Sequence, residues 1–206
     1  TGTYEWEGKQ RKAADLIEGR LEEIARLDAL ESGKPIAQAR GEIGGAVDIW
    51  RYAASLARTL HGESYANLGD DMLGVVLREP IGVVSIITPW NFPYLIISQK
   101  LPFALAVGCT AVVKPSELTS GSTAHLAGLL VEAGLPDGVV NVLTGASSEI
   151  GATLTAHPGV DMISFTGSTR VGRLVARTAG EQLKKVELEL GGKNPQLVMA
   201  DADLDA

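Results

Sequence analysis

Val83-Val84-Ser85-Ile86-Ile87 runs without a charge into Thr88-Pro89-Trp90-Asn91-Phe92-Pro93, and this junction of an apolar run with a stiff turn decides the fold. Four more short runs follow it: Ala111-Val112-Val113, Val139-Val140-Asn141-Val142-Leu143, Met162-Ile163-Ser164-Phe165 and Val186 to Leu190. Each is a short, mostly β-branched or apolar run, the last alternating with Glu187 and Glu189, and each reads as a buried strand. Segments rich in Ala and Leu at 119–133, 148–156 and 170–180 lie between several of them. That alternation predicts a doubly wound parallel sheet with right-handed crossovers, an α/β fold.

Upstream the period changes. From Lys9 to Glu31, Ala13, Leu16, Ile17, Ile24, Leu27 and Leu30 recur at helical spacing, and Ser32-Gly33-Lys34-Pro35 ends the run. A second helical stretch covers 36–60 with Ile43, Val47, Trp50 and Ala54 on one stripe, weakened locally by Gly41, Gly44 and Gly45. Between His61 and Val84, short extended pieces separated by Gly69-Asp70-Asp71 and Pro80-Ile81-Gly82 predict a small β-ribbon. Its exposed edges invite pairing with another chain, so a homo-oligomer contact is expected there. The expected organisation is a helical lead-in over 1–60, the ribbon over 61–84, and a ligand-binding core over 85–206 that packs with 1–60 as one domain.

Composition narrows the function. The 206 residues are 45% hydrophobic and 21% charged, which suits a globular core and argues against disorder. Twenty-five acids against 18 bases give a net charge of −7, and the bases are scattered, so no nucleic-acid footprint is present. Cys109 is the single cysteine, and no Cys/His pairs have ligand spacing; neither a disulfide nor a metal site is expected, and a cytoplasmic location fits. No apolar run is long enough for a bilayer, and Thr1 to Gly8 do not form a basic-then-apolar leader. The chain starts without Met and ends at Asp201-Ala-Asp-Leu-Asp-Ala206, so both ends read as cuts.

In a doubly wound sheet, ligands gather at the carboxyl ends of the strands. After the first run, two prolines hold Trp90 and Asn91 in a stiff turn; a fixed amide N–H suits an oxyanion site, and an ordinary Asn-X-Pro turn has the same residues. After the second, Lys114-Pro115-Ser116-Glu117 offers an acid for ribose hydroxyls, or a plain surface ion pair. After the fourth, Thr166-Gly167-Ser168-Thr169-Arg170-Val171-Gly172 opens a helix whose free N–H groups could receive phosphate, or is simply capped by Ser168. The stretch from Gly145 to Gly151 shares that ambiguity. In Val186-Glu187-Leu188-Glu189-Leu190-Gly191-Gly192-Lys193 the period of two puts both glutamates opposite the valine and leucines, either as a base near substrate or as two solvated carboxylates.

Taken together and in order, Thr88-Pro-Trp-Asn-Phe-Pro93, Val113-Lys-Pro-Ser-Glu117, Phe165-Thr-Gly-Ser-Thr169 and Leu188-Glu-Leu-Gly-Gly-Lys193 resemble the aldehyde dehydrogenase superfamily. Glu31-Ser-Gly-Lys-Pro35 and Gly108-Cys109-Thr110 extend the resemblance over essentially the whole chain. It implies a Rossmann-like fold and the following roles. Asn91 donates to the oxyanion, Glu189 is the general base, and Lys100, on the helix after the turn, stands near the active site with a part in proton transfer. Trp90 walls the cofactor site, Lys114 and Glu117 hold the adenosine ribose and favour NAD over NADP, and Gly151, Gly167, Ser168, Val171 and Gly172 contact the pyrophosphate and adenine. Tyr94 is among the few residues here implied to border the substrate.

The implied reaction is attack of a cysteine thiolate on an aldehyde, hydride transfer to NAD and hydrolysis of a thioester by water that Glu189 deprotonates. The family's nucleophile comes a few dozen residues after Leu188 to Lys193, beyond Ala206. Cys109 lies among Ala106, Val107 and Ala111 and is expected to be buried rather than reactive. The isolated chain is therefore expected to be the cofactor half of the enzyme, without turnover of its own. Two other readings stand beside it: an acyl-CoA or acyl-phosphate reductase relative, and a non-catalytic NAD-binding or assembly module.

Overall fold

The five runs form one sheet: β3 (Val83–Ile87), β4 (Thr110–Lys114), β5 (Val140–Val142), β6 (Met162–Thr166) and β7 (Lys185–Glu189). The computed structural model describes residues 3–146 and 148–203. Parts of both chain ends, and Ser147 within the Gly145 to Gly151 stretch, lie outside the described residues. Spatial order is β5-β4-β3-β6-β7 and every pairing is parallel. The chain winds from β3 outward to β5, then crosses back to place β6 and β7 on the other side of β3. The switch point, where ligand crevices open in such sheets, is therefore between β3 and β6.

Three helices precede the sheet: α1 (Thr3–Gly19), α2 (Leu21–Ser32) and α3 (Ile36–Leu56). The stretch read as one helix from Lys9 to Glu31 is interrupted at Arg20, whose amide donates to the Ile17 carbonyl at 3.2 Å. Gly19 favours that interruption. Ala13, Ala14, Ile17, Ile24 and Ala25 are all fully buried and keep one helical phase across it, so periodicity does not reveal it. Gly33, at φ 75°, ends α2 in the left-handed conformation and returns its N–H to the Ala29 carbonyl. The glycines of α3 do not break it, because Ile43, Val47, Trp50 and Ala54 bury a continuous stripe that outweighs their low propensity.

After β3 come α4 (Pro93–Ser98) and α5 (Leu101–Ala106), and α6 (Gly121–Glu132) follows β4. Trp50 Nε1 donates to Ser98 Oγ at 3.1 Å, and Ser98 Oγ donates to the Tyr94 carbonyl at 2.8 Å, which docks α4 on α3. One sheet face sends Val84, Ile86, Ala111 and Val113 into a core shared with Ile17, Ile24, Trp50, Leu101 and Leu126. The other face sends Ile163 and Phe165, with Val186 and Leu188 beside them, against Val175 and Ala179 of α8 (Thr169–Glu181). Burying each of these large side chains contributes about 1.5–3 kcal/mol. Helix α7 (Ser148–Ala156) packs on the same side.

The ribbon is β1 (Glu63–Tyr65) paired antiparallel with β2 (Gly74–Val76). Leu68, Met72, Leu73, Val75 and Leu77 around it are exposed. Among the described residues no helix is long and apolar enough to cross a membrane, and no group of His, Cys, Asp and Glu could hold a metal ion.

Candidate functional site

Backbone hydrogen bonds lock the strand ends at the switch point. The Thr88 amide donates to the Lys114 carbonyl at 3.2 Å, and the Gly167 amide donates to the Glu189 carbonyl at 3.0 Å. Residues at or just beyond the carboxyl ends of β3, β4, β6 and β7 are thereby held along one edge: Asn91, Lys114, Gly167 and Glu189. Trp90 and Asn91 are exposed on the turn, and Pro93 starts α4 in a position where its missing N–H costs nothing.

On the α7/α8 side of this edge lies a cleft of about 590 Å³ lined by Ile87, Lys114, Glu117, Gly151, Phe165 and Val171, among others. Lys114 is buried, donates from Nζ to the Pro115 carbonyl at 3.0 Å and stands 3.6 Å from Glu117 Oε2. A Cβ on Gly151 would meet only Ile87 Cδ1, at 3.9 Å, so this glycine presents open backbone to the cleft. Four of the candidate cofactor residues thus share one cavity: Lys114, Glu117, Gly151 and Val171.

The other four stand outside its lining. Gly172 is buried, and a Cβ there would come within 2.5 Å of Leu190 Cδ2; a Cβ on Gly167 would come within 2.6 Å of Phe165 Cζ. Both glycines let the start of α8 pack closely on the strand ends. Ser168 caps α8, its Oγ accepting the Val171 N–H at 3.3 Å, so one of the helix's free donors is already satisfied. Trp90 projects from the turn, 53% exposed.

The opposite sheet face carries a second cleft, of about 800 Å³, over β6 and β7. Ile86, Phe103, Met162, Ser164, Lys100 and Glu187 contribute to its lining. Lys100 is not inside a helix: it caps α5 at the joint with α4, where Pro102 in the first turn of α5 prevents one continuous helix. Its buried Nζ lies 3.2 Å from Glu187 Oε1, and Ser164 Oγ donates to Glu187 Oε2. The pleat puts Glu189 on the same face two residues on, exposed at the strand end. Lys100 is thus brought to Glu187 rather than paired with Glu189.

Glu187 is the residue that the sequence singled out least, although its spacing from Glu189 already placed the two on one face. Its partner is 87 residues away, and no local signal announces that. Tyr94, implied to border the substrate, is instead fully buried in the helical core, and burial pushes its phenol above the usual range. Cys109 is a free cysteine, 3% exposed, just before β4.

Residues 9–206 match the profile of the aldehyde dehydrogenase family. Among curated proteins, the chain is 48% identical over 196 residues to aldehyde dehydrogenase family 2 member C4 of Arabidopsis thaliana, covering 94% of this chain and 39% of that protein. It is 43% identical over 198 residues to glutarate-semialdehyde dehydrogenase of Pseudomonas aeruginosa, covering 96% and 41%. Among solved structures, an NAD-dependent aldehyde dehydrogenase from Sinorhizobium meliloti superposes with a TM-score of 0.93 at 56% identity, over 100% of this chain and 41% of that one. Betaine aldehyde dehydrogenase from Staphylococcus aureus in complex with NAD+ does so at 0.93 and 37%, over 98% and 40%. The chain thus spans about two-fifths of the length of the relatives it matches. With sequence and backbone agreeing from Lys9 onward, the chain belongs to the aldehyde dehydrogenase family.

Proposed function

We propose that this chain is the cofactor-binding part of an NAD-dependent aldehyde dehydrogenase that converts an aldehyde to a carboxylic acid through a cysteine thioester. The observation that carries the reading is the cleft at the switch point, where Lys114, Glu117, Gly151 and Val171 converge on the edge that also holds Asn91 and Glu189. Its chemistry fits the cofactor. Ile87, Phe165, Val171 and Leu174 make walls for an adenine ring, and the half-exposed Glu117 carboxylate can accept from ribose hydroxyls while repelling a 2′-phosphate. The NAD+-bound betaine aldehyde dehydrogenase of matching fold supports this.

When bound, NAD supplies the hydride acceptor. The chain's own groups do the rest apart from the nucleophilic attack. Asn91 directs its amide N–H at the oxygen that gains charge when the aldehyde is attacked, in a turn whose prolines leave it little freedom. Glu189 takes a proton from the water that hydrolyses the thioester, and Lys100, tethered to Glu187 on the same face, takes part in moving that proton outward. Gly167 and Gly172 set the close approach of α8 that brings Ser168 and Val171 to the cofactor side.

The nucleophile is assigned to residues outside these 206, since the one cysteine present is buried. Residues 1–60 are the helical lead-in, 61–84 the ribbon segment, whose exposed edge joins copies of the enzyme and whose last two residues already open β3, and 85–206 the rest of the NAD-binding core packed with the lead-in. A cytoplasmic location fits the acidic, cysteine-poor composition.

Titration of the 206-residue chain with NAD+, followed by tryptophan fluorescence, tests the reading. Saturable binding is expected, weakened about fivefold by Glu117→Ala through loss of a hydrogen bond of about 1 kcal/mol. Equal affinity for NADP+ would overturn the preference, and no binding of either would overturn the proposal. NADH production by the chain alone with an aldehyde would show that the nucleophile is not supplied from outside.

A further inference from the structure

We propose that the buried Asp28–Lys34–Glu42 cluster is a positioning device for the turn that carries Asn91. The inference rests on the oxyanion role given to Asn91, and the cluster itself stands on geometry. Lys34 Nζ lies 3.0 Å from Asp28 Oδ2 and also pairs with Glu42 Oε2. The three side chains are 7%, 0% and 8% exposed. Gln38 Nε2 donates to the remaining Glu42 oxygen at 2.8 Å. Three charges are thus buried between α2, the loop after it and α3, at the Glu31-Ser-Gly-Lys-Pro35 helix end.

Burying such a group costs more than filling the space with apolar side chains, so packing alone does not account for it. What the cluster reaches does. The Lys34 ammonium stands over the Phe92 ring, 4.9 Å from its centroid. Burial pushes the Asp28 carboxyl up, and Lys34 opposes that push. The residue immediately after Asn91 therefore packs against a cation that is itself fixed by two buried carboxylates.

The turn needs that hold. Pro93 disfavours the helical region for Phe92 before it, yet Phe92 sits at φ −136° and ψ 62°, short of the extended ψ that a residue before proline prefers. If Phe92 swings, the Asn91 amide changes direction with it. Catalytic donors are useful only when their direction is set before charge develops, and this cluster sets it from the side of the turn away from substrate.

Hydrogen exchange on the 206-residue chain, read residue by residue by NMR, tests the assignment. In Lys34→Met, exchange at Ile96, whose N–H donates to the Phe92 carbonyl at 2.9 Å, and at the next amides of α4 should rise roughly tenfold while β6 and α8 keep their protection. The side-chain amide signals of Asn91 should shift, and Lys34→Arg should bring them part of the way back. Phe92→Leu leaves no buried charge unpaired and serves if Lys34→Met does not fold; it should loosen the same amides with the cluster intact. Unchanged exchange at Ile96 and along α4, or a rise shared equally by β6 and α8, would overturn the proposal. None of these readings uses NAD, so failure of the cofactor titration and failure of this assignment are separate results.

Discussion

The two faces of the β6–β7 half-sheet differ in character. On the α8 side, Ile163 and Phe165 are buried against Val175 and Ala179, with Val186 and Leu188 partly buried beside them, and Lys114 and Glu117 join the lining of the adjoining cleft. On the other side the alternate residues, Ser164 and Glu187, stay in an open cleft and are joined to Lys100. One pleated strand pair therefore makes an apolar packing surface and, turned over, a polar surface that pairs Ser164 and Lys100 with Glu187. The difference teaches that stability and chemistry can be written on alternate residues of the same ten positions, so each can be changed without the other.

The sharpest way to break this contrast is Phe165→Ala. Removing a ring that is 6% exposed should cost about 3–5 kcal/mol in chemical denaturation, because both transfer energy and a cavity are involved. A cost below about 1 kcal/mol would mean that the sealed face is not what holds this half-sheet. Lys100→Met probes the other face. It removes the buried ammonium but leaves Glu187 able to reach water and Ser164, so the loss should be about 1 kcal/mol or less, with folding retained. A loss as large as that of Phe165→Ala would erase the distinction between the faces. Ser164→Ala should move stability least, by roughly 0.5 kcal/mol, since it deletes one hydrogen bond to a carboxylate that keeps its other partner. Circular dichroism melts of the three variants side by side would rank them.

Much of the sheet was legible because buried strands are largely apolar, as the first four runs are, while the fifth alternates Val186 and Leu188 with Glu187 and Glu189. Helices 148–156 and 169–181 followed from Ala, Leu and a capping serine. What periodicity missed has a common cause. The break at Arg20 preserves the phase of the buried stripe, and the joint at Lys100 is set by Pro102 among residues otherwise apolar on both sides. The candidate site divides in the same way. Asn91, Lys114, Glu117 and Glu189 could be located by their places at strand ends, a rule of topology. The Glu187–Lys100 pair and the Lys34–Phe92 contact could not, since these partners lie 87 and 58 positions apart, in segments with unrelated patterns.

By itself, then, the sequence determined the order of elements, the parallel sheet and the edge on which function is gathered, because each follows from short-range periodicity and from where turns must interrupt it. Only the tertiary structure decided which charges meet: Lys100 with Glu187, and Lys34 with Asp28, Glu42 and the Phe92 ring. The physical reason is that a charge is cheap to leave in water and costly to bury, so its partner is chosen by what the fold brings within a few ångströms and not by its neighbours along the chain.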